Sequence, residues 1–123
     1  MKDNKGRQFI AMHEVRSSLV SASASLTTGT ATSLIAGDAA DYLDIIEITF
    51  SSGSTAALGT ATVGVDLIND GTIIRHIDLI EGGAEQFRFD APLRQQTKNT
   101  PWILDMDDVT GTTIRVDATL IKQ

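Results

Sequence analysis

The sequence predicts an all-β protein: a single two-sheet antiparallel sandwich of about eight strands, jelly-roll-like, preceded by an extended N-terminal arm. Three observations predict it. Ile, Val and Thr recur in short blocks separated by Gly, Asn, Asp and Ser, the punctuation of strands and turns. Apolar residues alternate with polar ones inside those blocks, so each strand has one wet face. No window of helical length carries an apolar stripe at the 3.6-residue period. The chain has 123 residues, the size of one domain, and divides into an arm (1–17) and a sandwich domain (18–123).

The strands are read in order as 18–26, 29–37, 42–52, 60–69, 70–80, 85–90, 102–107 and 112–122. The sharpest local signal is Asn69-Asp70-Gly71, which supplies the positive-φ residues of a tight hairpin. Alternation assigns the core faces: Ile46, Ile48 and Phe50; Val63, Val65 and Leu67; Phe87 and Phe89; Trp102, Leu104 and Met106; Ile114, Val116, Ala118 and Leu120. Eight strands at this spacing favour a jelly roll over an immunoglobulin-like sandwich. Ile45, Ile74 and Ile80 fall on the opposite parity. Either a bulge returns such a residue to the core, or a second face is covered by the arm or by another subunit.

Charge is unevenly placed. Residues 1–17 carry Lys2, Lys5, Arg7 and Arg16 against Asp3 and Glu14, a balance of +2, while the rest carries six basic against fourteen acidic side chains, a balance of −8. An acidic body repels phosphate, so no nucleic-acid partner is expected. The absence of cysteine excludes disulfides and thiolate metal sites. The apolar runs fall far short of the roughly 20 residues of a membrane helix, and the polar N-terminus has no apolar signal region, so no membrane partner is expected. The segment Phe9–Val15 nevertheless carries apolar residues that a purely solvated tail does not need.

Candidate chemistry is sparse. Asp105, Asp107 and Asp108 lack the spacing of a calcium loop, and Asp38, Asp41 and Asp44 read as a turn and a strand start, with Asp38 capping it. His76, beside Arg75 and Asp78, reads as an ordinary strand residue, either exposed or paired with a carboxylate. No serine lies in a nucleophile-elbow context, and Gly82-Gly83 has no phosphate-binding spacing. No enzyme activity, metal or cofactor is expected. Tyr42 and Trp102 are the two aromatics that a sugar-binding groove would use as platforms.

The strand Asp41–Ile48, the hairpin around Asn69-Asp70-Gly71-Thr72, the turn at Gly82-Gly83, the stretch "FRFDAPLRQ" and the "TPWILD" before a final hairpin resemble small jelly-roll or β-sandwich decoration (cement) proteins of tailed bacteriophage capsids. The likeness spans residues 30–123. It implies a virion protein, made in the host cytoplasm, that binds the capsid exterior through the major capsid protein and assembles with itself, often as a homotrimer. On that reading the contacts come from the arm (Phe9, Ile10, Met12, Arg16) and from the loop at one end of the sandwich (Arg94, Gln95, Lys98). Two other readings are a tail or neck adaptor or fibre-base protein and a carbohydrate-binding module.

Overall fold

The computed structural model describes residues 18–27, 31–52, 62–80, 84–107 and 113–123. Eight strands follow one another: β1 (Leu19–Leu26), β2 (Thr32–Ile35), β3 (Leu43–Ser52), β4 (Thr62–Asn69), β5 (Thr72–Ile80), β6 (Ala84–Leu93), β7 (Trp102–Met106) and β8 (Ile114–Lys122). They form two four-stranded sheets, ordered β1-β8-β3-β6 and β2-β7-β4-β5, with every pairing antiparallel. That order is the jelly roll: strands adjacent in sequence mostly cross between sheets, and among the described residues the one hairpin within a sheet is β4–β5. Its turn places Asp70 at φ 50° and Gly71 at φ 77°, the left-handed geometry expected of Asn-Asp-Gly.

The core lies between the sheets. Trp102, Phe50, Leu67, Leu104, Val116 and Leu120 are among the fully buried side chains, and they come from both sheets as period-2 alternation requires.

One assigned face is corrected. Ile45, not Ile46, belongs with Ile48 and Phe50: Ile45 is fully buried and Ile46 only half-buried. The cause is a bulge. Against β8, Ile45 pairs with Leu120 and Glu47 with Thr119, so Ile46 is an extra residue on β3. One inserted residue reverses the parity of everything before it, and two isoleucines of opposite parity both reach the core. A second bulge acts on β5: Leu67 pairs with Arg75 and Ile68 with Ile73. The extra residue, Ile74, packs against the core while Ile73 is 57% exposed. The side chain of Ile80 lies outside the described residues. Two of the three isoleucines that suggested a covered second face, Ile45 and Ile74, are thus accounted for inside one chain.

The sixth strand is longer than the sequence suggests, because it continues through Pro92. It sits at a sheet edge, where a missing N–H removes no ladder bond. Its pairing with β3 slips between Arg88, opposite Glu47, and Leu93, opposite Ile45.

The bulge makes a testable distinction between neighbours. Ile45→Ala should cost about 2–5 kcal/mol, the range for a buried isoleucine that leaves a cavity, whereas Ile46→Ala should cost no more than about 1 kcal/mol. Urea unfolding of the two variants measures this; equal losses would argue against the bulge.

Candidate functional site

One end of the sandwich is built from the start of β1, the β2–β3 connection, the β4–β5 hairpin, the loop 94–101 between β6 and β7, and the C-terminus. The connections at the other end, after β1, β3, β5 and β7, lie wholly or partly outside the described residues.

The loop 94–101 is fixed by three buried polar side chains: Asn69, which is fully buried, and Asp44 and Gln95, each 3% exposed. Burying a polar group is costly unless it is hydrogen-bonded, and each of these is. Asn69 Nδ2 donates to Thr100 Oγ1 and to the Pro101 carbonyl, both at 3.0 Å. Its Oδ1 accepts from the backbone N–H of Gln96 at 2.6 Å and of Thr97 at 3.0 Å. Gln95 Oε1 accepts from Leu43 N at 2.8 Å, and its Nε2 donates to the Thr100 carbonyl at 2.6 Å. The Gln95 N–H donates to Asp44 Oδ1 at 2.8 Å, while Asp44 Oδ2 accepts from Gln123 Nε2 at 2.9 Å. Beneath them Trp102 Nε1 donates to the Leu43 carbonyl at 2.8 Å. The loop therefore obtains its backbone partners from side chains rather than from a sheet.

The β2–β3 connection packs on this loop at Gly37. A Cβ there would lie 2.3 Å from the Asn99 carbonyl carbon, so only glycine allows the approach. Asn99 itself sits at φ 62°, a conformation asparagine tolerates. Asp38 caps the turn, as expected: its Oδ1 accepts from Ala40 N at 2.8 Å. That bond, aided by the Asp41 N–H and by Lys122, holds its carboxyl below the usual range.

The expected contact residues separate in this setting. Arg94 and Lys98 are exposed. Gln95 is buried and spends its side chain on the backbone of Leu43, at the start of β3, and of Thr100 in the loop itself. Arg94 lines a shallow groove of about 400 Å³ with Tyr42, Asp44, Ala91, Pro92 and Gln123, and the Lys98 ammonium lies 5.2 Å from the Tyr42 ring centroid. Phe9, Ile10, Met12 and Arg16 lie outside the described residues. The chain enters β1 at this same end, however, with Lys122 N donating to the Ser18 carbonyl at 3.0 Å. The aromatic platforms do not come together: Trp102 is fully buried, and the Tyr42 ring is engaged by Lys98.

A second polar group lies on the outer face of the β2-β7-β4-β5 sheet. Asp66 and His76 are cross-strand partners, and His76 Nδ1 lies 2.6 Å from Asp66 Oδ1 while Nε2 lies 3.0 Å from Asp78 Oδ1. Asp105 is paired with Asp66 from the other side. Asp107 Oδ2 accepts from Gly64 N at 2.9 Å, and a Cβ at Gly64 would come within 2.8 Å of both that oxygen and His76 Cε1. Among the described residues no three His, Cys, Asp or Glu side chains are arranged to hold a metal; Asp108 lies outside them. The hydrogen bond to Asp66, then that to Asp78, raises the His76 pKa above its ordinary value.

No protein-family model and no curated protein matches the chain. Solved structures do share its fold. A chain of the acid-stable capsid of Helicobacter pylori bacteriophage KHP30 superposes with a TM-score of 0.59 at 10% identity, over 84% of this chain and 86% of that one. A chain of the cyanophage Pam1 capsid asymmetric unit gives 0.55 at 12% identity, over 84% of each. A chain of the Bacillus endospore appendages, a family of disulfide-linked pili, gives 0.50 at 14% identity, over 85% and 88%. The fold is one shared by chains of two phage capsids and of an endospore appendage.

Titration of the His76 imidazole by NMR should give a pKa above the ordinary ~6.5, and Asp66→Asn should lower it. The sign for stability follows from linkage: the folded state holds the proton more tightly. The pairing therefore stabilises fully below the unfolded pKa and fades as pH rises through the raised folded value. A midpoint at or below ~6.5 in the intact protein would contradict the pairing.

Proposed function

We propose that this chain is a structural protein of a phage virion that decorates the capsid exterior and reinforces it. The observation that carries the reading is the jelly-roll fold, shared over most of the chain with chains from two phage capsids. It is supported by the way one end of the sandwich is built. A buried hydrogen-bond network holds a loop that presents Arg94 and Lys98, and the arm joins the domain at the same end. A rigid scaffold that offers exposed side chains on fixed loops suits recognition. The arm and the loop are then two small contacts on neighbouring sites of the major capsid protein. Each is weak alone, and together they are strengthened by effective concentration.

No catalytic role is proposed. Both ring nitrogens of His76 face carboxylates, which leaves neither available to activate a nucleophile. A glycan-binding reading lacks its platforms, since Trp102 is core and Tyr42 is engaged.

Binding to capsids stripped of this protein provides the test. Deleting residues 1–17, or reversing charge with Arg94→Glu and Lys98→Glu together, should each weaken occupancy by about tenfold or more, as loss of one arm of a bivalent contact does. Occupancy unchanged by both would refute the reading. Copy number separates head from neck: a shell decorator follows the many-fold capsid lattice, and a neck or tail protein follows a single ring.

A further inference from the structure

Among the described residues the sandwich has four edge strands, β1 and β6 on one sheet and β2 and β5 on the other. Proteins usually protect such edges with charge, proline, bulges or short length. Three of the four do so here. β6 carries Glu85, Arg88, Asp90 and Pro92 and pairs irregularly. β5 carries Arg75, His76 and Asp78 and a bulge at Ile74. β2 is four residues long, with a register shift.

β1 has none of these features. It reads Leu-Val-Ser-Ala-Ser-Ala-Ser-Leu, eight residues without charge, proline or glycine, in unbroken register with β8. The bond from Lys122 N to the Ser18 carbonyl fixes which residues face which side. Hydrogen-bonded pairs alternate along an antiparallel ladder, so Val20, Ala22, Ala24 and Leu26 bond to β8. The backbone N–H and C=O of Leu19, Ser21, Ser23 and Ser25 point to the open side, where no strand among the described residues pairs with them. On the core side Val20, Ala22 and Ala24 are only half-buried, whereas Leu26 is fully buried.

We propose that β1 is a self-association edge. A second copy of this chain adds its own β1 antiparallel to the first, about a two-fold axis at Ser23, joining two four-stranded sheets into one of eight strands. Opposed residues in an antiparallel pair share a face, so continuity of the core side requires residues of like parity to meet. Centred on Ser23, the strand meets itself with like on like: Ser23 opposite Ser23, Ser21 opposite Ser25, Ala22 opposite Ala24 and Val20 opposite Leu26. The small side chains let the copies approach, and the half-buried alanines gain cover. The strand's neutrality matters because the domain is acidic. The nearest outward carboxylate among the described residues, Asp117, lies one strand back opposite Ser23, so the two copies of it stand three strand spacings apart, about 14 Å, beyond the ~8–10 Å screening length. The pairing is independent of the capsid reading, and it builds two-fold assemblies rather than the trimer that the family resemblance implies.

Light scattering on the full chain at its highest soluble concentration should give twice the 13.1 kDa chain mass. Ser23→Pro removes an N–H that faces the open side and leaves the β1–β8 ladder intact; it should yield a monomer that still unfolds cooperatively, at a midpoint that no longer depends on protein concentration. A second measurement does not depend on how that variant folds. The chain has no cysteine, so Ser23→Cys introduces a single thiol that the axis places opposite its own copy. It should oxidise to a covalent dimer on the order of tenfold faster than Ser25→Cys, whose position opposes Ser21, since disulfides demand Cα atoms within about 7 Å. A wild-type monomer, a wild-type trimer, a dimer that survives Ser23→Pro, or equal cross-linking of the two thiol variants would each overturn the proposal. A trimer lost on Ser23→Pro would assign the edge to a neighbour's arm instead.

Discussion

The structure depends most on the hydrogen bonds made by one buried side chain, Asn69. It stands at the end of β4, fully buried, and uses both halves of its amide. The oxygen accepts the N–H groups of Gln96 and Thr97, and the nitrogen donates to Thr100 and Pro101. These four bonds reach across the loop that carries the chain from one sheet to the other. Without them the Asn69 amide, fully buried, would lack partners, at a cost of about 1–3 kcal/mol for each unsatisfied group. Gln95 and Asp44 extend the same solution to the start of β3 and to the C-terminus. The loop is therefore tied to both sheets by side-chain hydrogen bonds, and the exposed Arg94 and Lys98 project from it.

Much of the architecture was legible because strand, turn and face signals are local. Alternation located all eight strands, and Asn-Asp-Gly located the β4–β5 hairpin. Bulges were the obstacle, because parity counting assumes an unbroken ladder. Ile46 looks like a core residue by parity and is displaced by a single insertion against β8. Nothing within the strand marks which of its two adjacent isoleucines is the extra one. The second isoleucine of opposite parity in the pattern, Ile45, was the available clue, and a bulge was one of the two readings it allowed.

The candidate site was less legible for the opposite reason: its determinants are long-range. Gln95 lies in a polar loop and reads as exposed, yet its partners are Leu43 and Asp44, about fifty positions away in sequence. Trp102 reads as an aromatic that heads an apolar face. Its burial places it in the core, and its indole N–H finds the Leu43 carbonyl. Arg94 and Lys98 keep the exposure that their charge suggests. The acids around His76 were visible singly, but the cross-strand register that sets Asp66 beside His76 was not.

An end tied down by buried polar bonds and an uncharged edge at β1 are the two features on which the proposed associations rest. One presents fixed cations beside the root of a basic arm; the other offers backbone groups on a neutral strand. Hydrogen exchange at the loop amides tests the central claim most directly. If Asn69 holds the loop, the Gln96 and Thr97 amides exchange as slowly as those within the strands, and Asn69→Ala speeds both together. Exchange at both amides as fast as in an unprotected peptide in the intact protein would contradict the account.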